Sequence, residues 1–136
     1  MQEALADLQA LISDPSQPVV LFALEWCEFC WSVRKLFAAA GIAYRSVDLD
    51  SAAFRIGDRG GALRKALAET TGAVTIPQVF VGGRHIGGAT ETFDAFNAGD
   101  LQQRLAELGC GVNAEGIGNA YGFLPGWLHP RRPAAA

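Results

Sequence analysis

Residues 19–30 have the sequence VVLFALEWCEFC, in which an apolar run leads directly into two cysteines three positions apart. The run from Val19 to Leu24 is continuous rather than alternating, a pattern typical of a strand buried on both faces of a helix-covered sheet. Apolar side chains then recur at helical spacing, which predicts a helix over residues 28–40. Cys27 and Cys30 are therefore expected at the junction where this buried strand gives way to a helix.

The spacing and position of the two cysteines favour redox chemistry. Residues three apart on a helix share a face, so Cys27 and Cys30 are close enough to form a disulfide. Cys27 lies at the predicted helix N-terminus, where unpaired N–H groups and the helix dipole favour the thiolate that attacks disulfides. Cys30 lies one turn further along and suits the role of resolving thiol. The alternatives are two buried packing residues, or half of a zinc site.

A zinc site would need further ligands, and the chain offers Cys110, His85 and His129. None of these forms a second CxxC or an HxxxH pattern, so the sequence favours a redox pair over a metal site. We interpret Cys110 as a spare thiol after the last helix, and His85 as an exposed turn residue.

The remaining sequence predicts an α/β fold with the element order α-β-α-β-α-β-β-α-α. The first two strands and the helix between them predict a parallel pair with a right-handed crossover, and a later hairpin adds antiparallel strands. Residues 51–61 contain three glycines and give no clear prediction. The other predicted elements are a helix over residues 1–13, a strand over 42–49, a helix over 62–70, hairpin strands over 78–81 and 84–86, a helix capped by Thr90, and a last helix with a capping box of Asp100 and Gln103.

The bulk properties of the chain restrict its class. With 136 residues, of which 50% are hydrophobic, it is long enough for one domain with its own core. We place that domain at residues 1–110 and an irregular tail at 111–136, which we expect to pack on the domain or to dock a partner. A net charge of −3 without a basic stripe argues against nucleic-acid binding, and no apolar run is long enough to cross a membrane. Without a signal-peptide pattern, and with an odd cysteine count, a cytoplasmic location is expected.

Two further motifs predict a binding surface. Thr75-Ile76-Pro77 stands directly before the hairpin, where proline fits only at the start of a strand or at a sheet edge. A cis bond before Pro77 would turn the Ile76 backbone toward an extended substrate, although trans is the more frequent form. Gly87-Gly88-Ala89-Thr90 allows close backbone approach and leads into a helix N-terminus, which suits a carboxylate or is a simple turn.

Together these motifs resemble those of glutaredoxins over roughly residues 17–109. The resemblance implies a thioredoxin-like fold, with a four-stranded mixed sheet flanked by helices, in a monomer. It implies glutathione-dependent reduction of disulfides in proteins or with glutathione, with Cys27 as nucleophile, Cys30 as resolving thiol and Pro77 as cis proline. The implied glutathione contacts are Phe29, Arg64 at the glycine carboxylate, Thr75, the backbone of Ile76, Pro77, Gly88, and Ala89 and Thr90 at the γ-glutamyl carboxylate.

Three positions depart from the family pattern. Leu24 stands where a lysine is frequent, Thr90 stands where an acidic residue is usual, and Glu28-Phe29 replaces the usual Pro-Tyr between the cysteines. The last change leaves a second function open, because some relatives with a non-proline motif bind a [2Fe-2S] cluster between two subunits. In such a dimer Cys27 and glutathione would be the ligands. Leu24 leaves a third interpretation open, a reductase that takes electrons from thioredoxin reductase.

Overall fold

The computed structural model describes residues 1–125, which form a mixed sheet with helices on both faces. The strands of this part are β1 (Val19–Ala23), β2 (Arg45–Asp48), β3 (Gln78–Val81) and β4 (Arg84–Gly87). Its α-helices are α1 (Gln2–Ile12), α2 (Glu28–Ala39), α3 (Ala52–Arg55), α4 (Arg59–Thr71), α5 (Ala89–Ala98) and α6 (Asp100–Glu107), and its 3-10 helices are Ile56–Asp58 and Ala120–Phe123. No helix among these residues has the length and apolar character needed to cross a membrane.

The sheet has the strand order β2-β1-β3-β4. β1 runs parallel to β2, with Phe22 opposite Val47, and antiparallel to β3, with Leu21 opposite Val79. β3 and β4 form an antiparallel hairpin. Its turn is Gly82-Gly83, with φ angles of 60° and 82° that glycine adopts without the steric cost of a Cβ. The predicted four-stranded mixed sheet of a thioredoxin-like fold is confirmed.

Both faces of β1 are buried, which explains its continuous apolar sequence. Successive side chains of a strand point to opposite faces. Leu21 therefore packs with residues of α2 and α5 on one side, and Phe22 packs with residues of α1 and α4 on the other. Full burial of such a side chain contributes about 1.5–3 kcal/mol. The strand thereby fixes the point from which α2 and its cysteines begin.

The strand β2 is shorter than predicted. It spans Arg45–Asp48 rather than residues 42–49. Gly41, with a φ of 66°, ends α2, and the N–H of Ile42 donates to the carbonyl of Phe37 at 2.9 Å. This helix-ending hydrogen bond, of the kind that follows a left-handed glycine, uses the backbone group that a longer strand would need.

The helix α4 begins three residues earlier than predicted, at Arg59. Two short helices, α3 and the 3-10 helix Ile56–Asp58, occupy the segment without a clear predicted structure. Gly60, in the first turn of α4, lies directly against the carbonyl oxygen of Leu49, and a Cβ at this position would overlap that oxygen. Gly60 thus permits a close backbone approach, whereas Gly57, with a φ of 62°, interrupts the helical conformation before α4.

Both predicted helix caps are wrong. Gly88, not Thr90, is the N-cap of α5, and the Glu91 side chain accepts a hydrogen bond from the Gly88 N–H at 2.8 Å. Asp100 is the first residue of α6 rather than its cap, and Gly99 precedes the helix in a left-handed conformation. In each case a helix does begin at the predicted place in the chain, but the observed N-cap lies one or two residues before the predicted one.

The described part of the tail packs on the domain. The Asn97 and Asn119 side chains form a hydrogen bond at 2.9 Å, and the Tyr121 hydroxyl donates to Asp94 Oδ1 at 2.7 Å. Burial raises the pKa of Tyr121 to about 12, and the hydrogen bond to Asp94 acts in the same direction. The hydroxyl therefore remains a donor at neutral pH. Leu124 is buried in the core. His129 and the rest of the tail lie outside the described residues.

Candidate functional site

The two cysteines occupy the first turn of α2. Cys27 is the N-cap, with the extended φ and ψ angles of −151° and 121°, and its Sγ accepts a hydrogen bond from the Cys30 N–H at 3.4 Å. A side chain at this position satisfies one of the N–H groups that a helix start leaves unpaired. Both thiols are free, and Cys27 is half-buried whereas Cys30 is 0% exposed. The predicted placement of Cys27 at the helix N-terminus is confirmed.

The two thiols differ in electrostatic environment. Burial, as the largest cause, raises the pKa of Cys30 to about 12, and its interactions with Cys27 add to the increase. Taking a thiolate out of water is unfavourable, so Cys30 stays protonated at neutral pH. Cys30 is therefore poorly suited to attack an external sulfur first, and Cys27 is the more accessible of the two thiols.

Beside the cysteines lies a cavity of about 310 Å³, here called the α5 cavity. It gathers residues from the Cys motif, from the segment before β3 and from the start of α5. The Ile76–Pro77 bond in its wall is cis, as the resemblance implied. Arg64 is an exposed residue of α4 and does not line this cavity. The lining residues are Phe29, Thr75, Ile76, Pro77, Gly88, Ala89, Thr90 and Glu91.

The start of α5 presents backbone donors to this cavity. The Thr92 N–H makes the first backbone hydrogen bond of the helix, to the Gly88 carbonyl at 3.0 Å. The N–H groups of Ala89 and Thr90 precede that bond, in the position where helices bind carboxylates. Glu91 was not among the predicted contacts, yet its carboxylate is held here by the Gly88 N–H at 2.8 Å and the Thr90 hydroxyl at 3.3 Å. A ligand with a carboxylate and an ammonium fits here, because the backbone N–H groups suit the carboxylate and Glu91 suits the ammonium.

A second cavity, of about 390 Å³, lies on the Cys27 side of the motif and is here called the acidic groove. Sequence reasoning did not identify this cavity: six of its seven lining residues lie within residues 25–34, but the seventh, Pro125, comes from the tail, whose packing the sequence does not predict. It shares no lining residue with the α5 cavity. The lining residues are Glu25, Trp26, Cys27, Glu28, Trp31, Arg34 and Pro125.

Arg34 is the cation next to the position at which the family frequently has lysine. Its guanidinium donates to the Leu24 carbonyl at 3.3 Å and to Asp48 Oδ1 at 2.7 Å. Leu24 itself is half-buried and packs against the core formed by α1 and α4. The side chain of Leu24 therefore contributes to packing, and the nearby positive charge of Arg34 is already paired with Asp48.

The expectation for His85 is wrong. It lies in β4, half-buried against the Phe80 ring at a centroid distance of 5.0 Å. Burial lowers its pKa, and Glu91 acts in the opposite direction. Cys110 is partly buried against the core. Among residues 1–125, no group of three or more His, Cys, Asp or Glu side chains is placed to hold a metal ion.

Comparison with known proteins gives a consistent result. The family model named Glutaredoxin matches residues 19–86. The chain is 38% identical over 96 residues to monothiol glutaredoxin-S10 of Oryza sativa subsp. japonica, covering 71% of this chain and 56% of that protein. It is 40% identical over 94 residues to glutaredoxin-C6 of the same plant, covering 69% of this chain and 80% of that protein. The chain thus spans little more than half the length of the first relative.

Solved structures agree with the sequence match. The crystal structure of the buckwheat glutaredoxin–glutathione complex superimposes with a TM-score of 0.71 at 36% identity, covering 79% of this chain and 92% of that chain. The sequence thus matches the glutaredoxin family model in a chain with three matching structural features. These are the sheet order, the Cys27–Cys30 pair at the start of α2 and the cis bond before β3. The chain belongs to the glutaredoxin family, whose members are thiol–disulfide oxidoreductases.

Proposed function

We propose that this chain reduces disulfides with glutathione as co-substrate, above all mixed disulfides between glutathione and a protein or small thiol. One observation carries the proposal: Phe29, the segment Thr75–Pro77 and the start of α5 line one cavity beside the cysteines. The resemblance to glutaredoxins implies that these separate stretches contact one ligand. The glutathione bound in the buckwheat complex supports the same ligand class.

The chemistry follows from the unequal thiols. The Cys27 thiolate attacks the glutathione sulfur of a mixed disulfide R–S–S–G, forming Cys27–S–S–G and releasing R–S⁻, which takes a proton from water. A second glutathione thiolate attacks the same glutathione sulfur, releases the Cys27 thiolate and leaves as oxidised glutathione. This sequence does not use Cys30, whose pKa of about 12 disfavours its own attack. For a disulfide without glutathione, Cys30 would be the resolving thiol.

The α5 cavity suits glutathione through its backbone donors and its one carboxylate. The γ-glutamyl end of glutathione carries both a carboxylate and an ammonium. We assign the carboxylate to the N–H groups of Ala89 and Thr90, and the ammonium to Glu91. The backbone of Ile76, next to the cis bond, is assigned to the cysteine part. Arg64 has no contact in this assignment, since it does not line the cavity.

The proposal is tested by a coupled assay of the full-length chain. The substrate is the mixed disulfide of glutathione and 2-mercaptoethanol, with electrons supplied either by glutathione and glutathione reductase or by thioredoxin reductase. We expect turnover with the glutathione system and none above background with thioredoxin reductase. Turnover with thioredoxin reductase alone would contradict glutathione dependence and favour the third interpretation.

Replacing Glu91 with glutamine is expected to raise the KM for this mixed disulfide by about threefold to tenfold, through the loss of one charged contact. Glutamine still accepts the capping hydrogen bond from the Gly88 N–H, so α5 is retained and only the charge is removed. Glu69→Gln, on the exposed surface of α4, is the matched control and should leave the KM unchanged. Equal KM values for Glu91→Gln and the wild type would refute the assignment of the ammonium.

The alternative function is a [2Fe-2S]-binding dimer. Such clusters are held by thiolates, and Cys27 is the half-buried thiol of the motif whereas Cys30 is fully buried. One chain therefore presents one thiolate at this place, and the remaining ligands would come from glutathione and a second chain. Anaerobic purification with glutathione decides between the functions. We expect a colourless monomer, whereas visible absorbance in a dimer that disappears in Cys27→Ser would support the cluster.

A further inference from the structure

The acidic groove has the aromatic surface of a binding site. Trp26 is 91% exposed and Trp31 is 45% exposed, and both line the groove beside Cys27. Large apolar side chains exposed together next to a reactive group are unfavourable in a free surface and are typical of sites that a partner covers. The groove is separate from the α5 cavity, so a ligand there does not compete for the assigned glutathione contacts.

The unpaired charges of the groove are negative. The carboxylates of Glu25 and Glu28 form no ion pair or side-chain hydrogen bond within residues 1–125. Arg34 also lines the groove, but its ion pair with Asp48 at 2.7 Å neutralises it. Lys35 lies over the Trp31 ring, 4.8 Å from its centroid, and is outside the lining. Two carboxylates beside two indole rings form a surface that attracts cations.

We propose that the acidic groove binds the polypeptide that flanks the disulfide of a protein substrate, and that it selects substrates with lysine or arginine next to the reacting cysteine. This inference rests on the proposed function, because the bound polypeptide is the protein part of the disulfide that Cys27 attacks. The Cys27 thiolate forms a new S–S bond with one sulfur of that disulfide, and the other sulfur leaves as a thiolate that takes a proton from water.

The charges disfavour two other occupants of the same surface. Glutathione has a net negative charge, so Glu25 and Glu28 disfavour it in the groove. A symmetric contact with a second copy would place these two carboxylates near their own copies, in a chain whose net charge is already −3. A basic polypeptide satisfies both the carboxylates and the exposed rings.

The tail contributes one wall of the groove. Pro125 lines it, two residues after the 3-10 helix Ala120–Phe123, which the Tyr121–Asp94 and Asn119–Asn97 hydrogen bonds fasten to α5. This wall lies outside residues 19–86, the part that matches the family model. The shape of the groove therefore depends on the tail as well as on residues 25–34 of the matched segment.

The test compares two glutathionylated peptides that differ only in the residues flanking the cysteine, lysines in one and glutamines in the other. With the full-length chain at low ionic strength, we expect kcat/KM to be about tenfold higher for the lysine peptide, and less so at high salt. The readout is the ratio between the peptides, since a change in Cys27 reactivity affects both equally. In Glu25→Gln/Glu28→Gln the ratio should fall to about one. The control Glu69→Gln/Glu107→Gln removes the same charge from exposed helix positions and should keep the wild-type ratio.

Several outcomes would overturn the inference. Equal kcat/KM for the two peptides in the wild type, with normal turnover of the 2-mercaptoethanol mixed disulfide, refutes the selectivity and leaves the proposed function standing. A ratio that persists in Glu25→Gln/Glu28→Gln places the selectivity elsewhere. A preference that emerges only in Arg131→Gln/Arg132→Gln shows that this chain's own C-terminal residues occupy the groove.

A binding experiment separates this inference from the proposed function. Trp26 and Trp31 line the groove, so titration with a lysine-flanked peptide that has serine in place of cysteine should change the tryptophan fluorescence saturably. We expect the fluorescence change to be lost in Glu25→Gln/Glu28→Gln and kept in the control Glu69→Gln/Glu107→Gln. If the fluorescence does not change saturably, the inference is refuted, whether or not the chain has reductase activity.

Discussion

Replacing Cys27 with serine is expected to lower the reduction of a glutathione mixed disulfide by more than about a thousandfold, because a hydroxyl does not replace a thiolate as nucleophile. Replacing Cys30 with serine is expected to leave this activity within about threefold of the wild type. Cys30 is 0% exposed and its pKa is raised to about 12 by burial. In the proposed sequence of steps, a second glutathione releases Cys27 without the help of Cys30.

The coupled assay with glutathione and glutathione reductase checks both variants at neutral pH. Cys110→Ser is the matched control, since it removes a partly buried thiol that is remote in sequence from the motif, and it should behave as the wild type. Mass spectrometry of Cys30→Ser after reaction should show one glutathione bound through Cys27. If Cys30→Ser loses as much activity as Cys27→Ser, both thiols are needed and the monothiol sequence of steps is wrong.

Gly60→Ala is expected to lower the free energy of unfolding by about 2–3 kcal/mol, a large effect for one methyl group. A Cβ at Gly60 would overlap the carbonyl oxygen of Leu49 and lie 3.2 Å from the carbonyl oxygen of Phe54. Both are backbone atoms, so no side-chain rotation relieves the contact. The start of α4 would have to move away from the chain that follows β2.

Gly61→Ala, at the next position, is the matched control. Its Cβ would lie 2.6 Å from Asp58 Oδ1, the end of an exposed side chain that can rotate away. Alanine also favours the helix over glycine by about 1 kcal/mol, so we expect no loss of stability. Urea unfolding of both variants measures the difference. Equal destabilisation by the two substitutions would show that the Leu49 carbonyl does not limit the position of α4.

The fold was predictable because its main signals are local. The run from Val19 to Ala23 is apolar at every position, as a strand buried on both faces requires, and the turn Gly82-Gly83 has the positive φ angles that its glycines predict. The limits of β2 were not predictable. Ile42 and Leu49 are both buried, yet they lie outside the strand, and an apolar pattern records burial rather than strand pairing.

The candidate site was predictable where short motifs build it and not where distant residues meet. Thr75–Pro77 and Gly88–Thr90 line the α5 cavity as motifs already visible in the sequence. The acidic groove requires Pro125 to lie near Glu25, which depends on how the tail packs. His85 shows the same limit, because the contact with Phe80 that buries it is set by the hairpin pairing and not by its polar character.

The fastening of the tail to α5 has a consequence for protein engineering. Asp94 and Asn97, which hold Tyr121 and Asn119, lie on the helix whose first residues line the α5 cavity. A graft of residues 119–125 onto a shorter relative would therefore carry the groove wall only together with these two helix positions. The segment and its anchor form one transferable unit, and exchange of that unit between relatives would replace one wall of the groove without altering the cysteines.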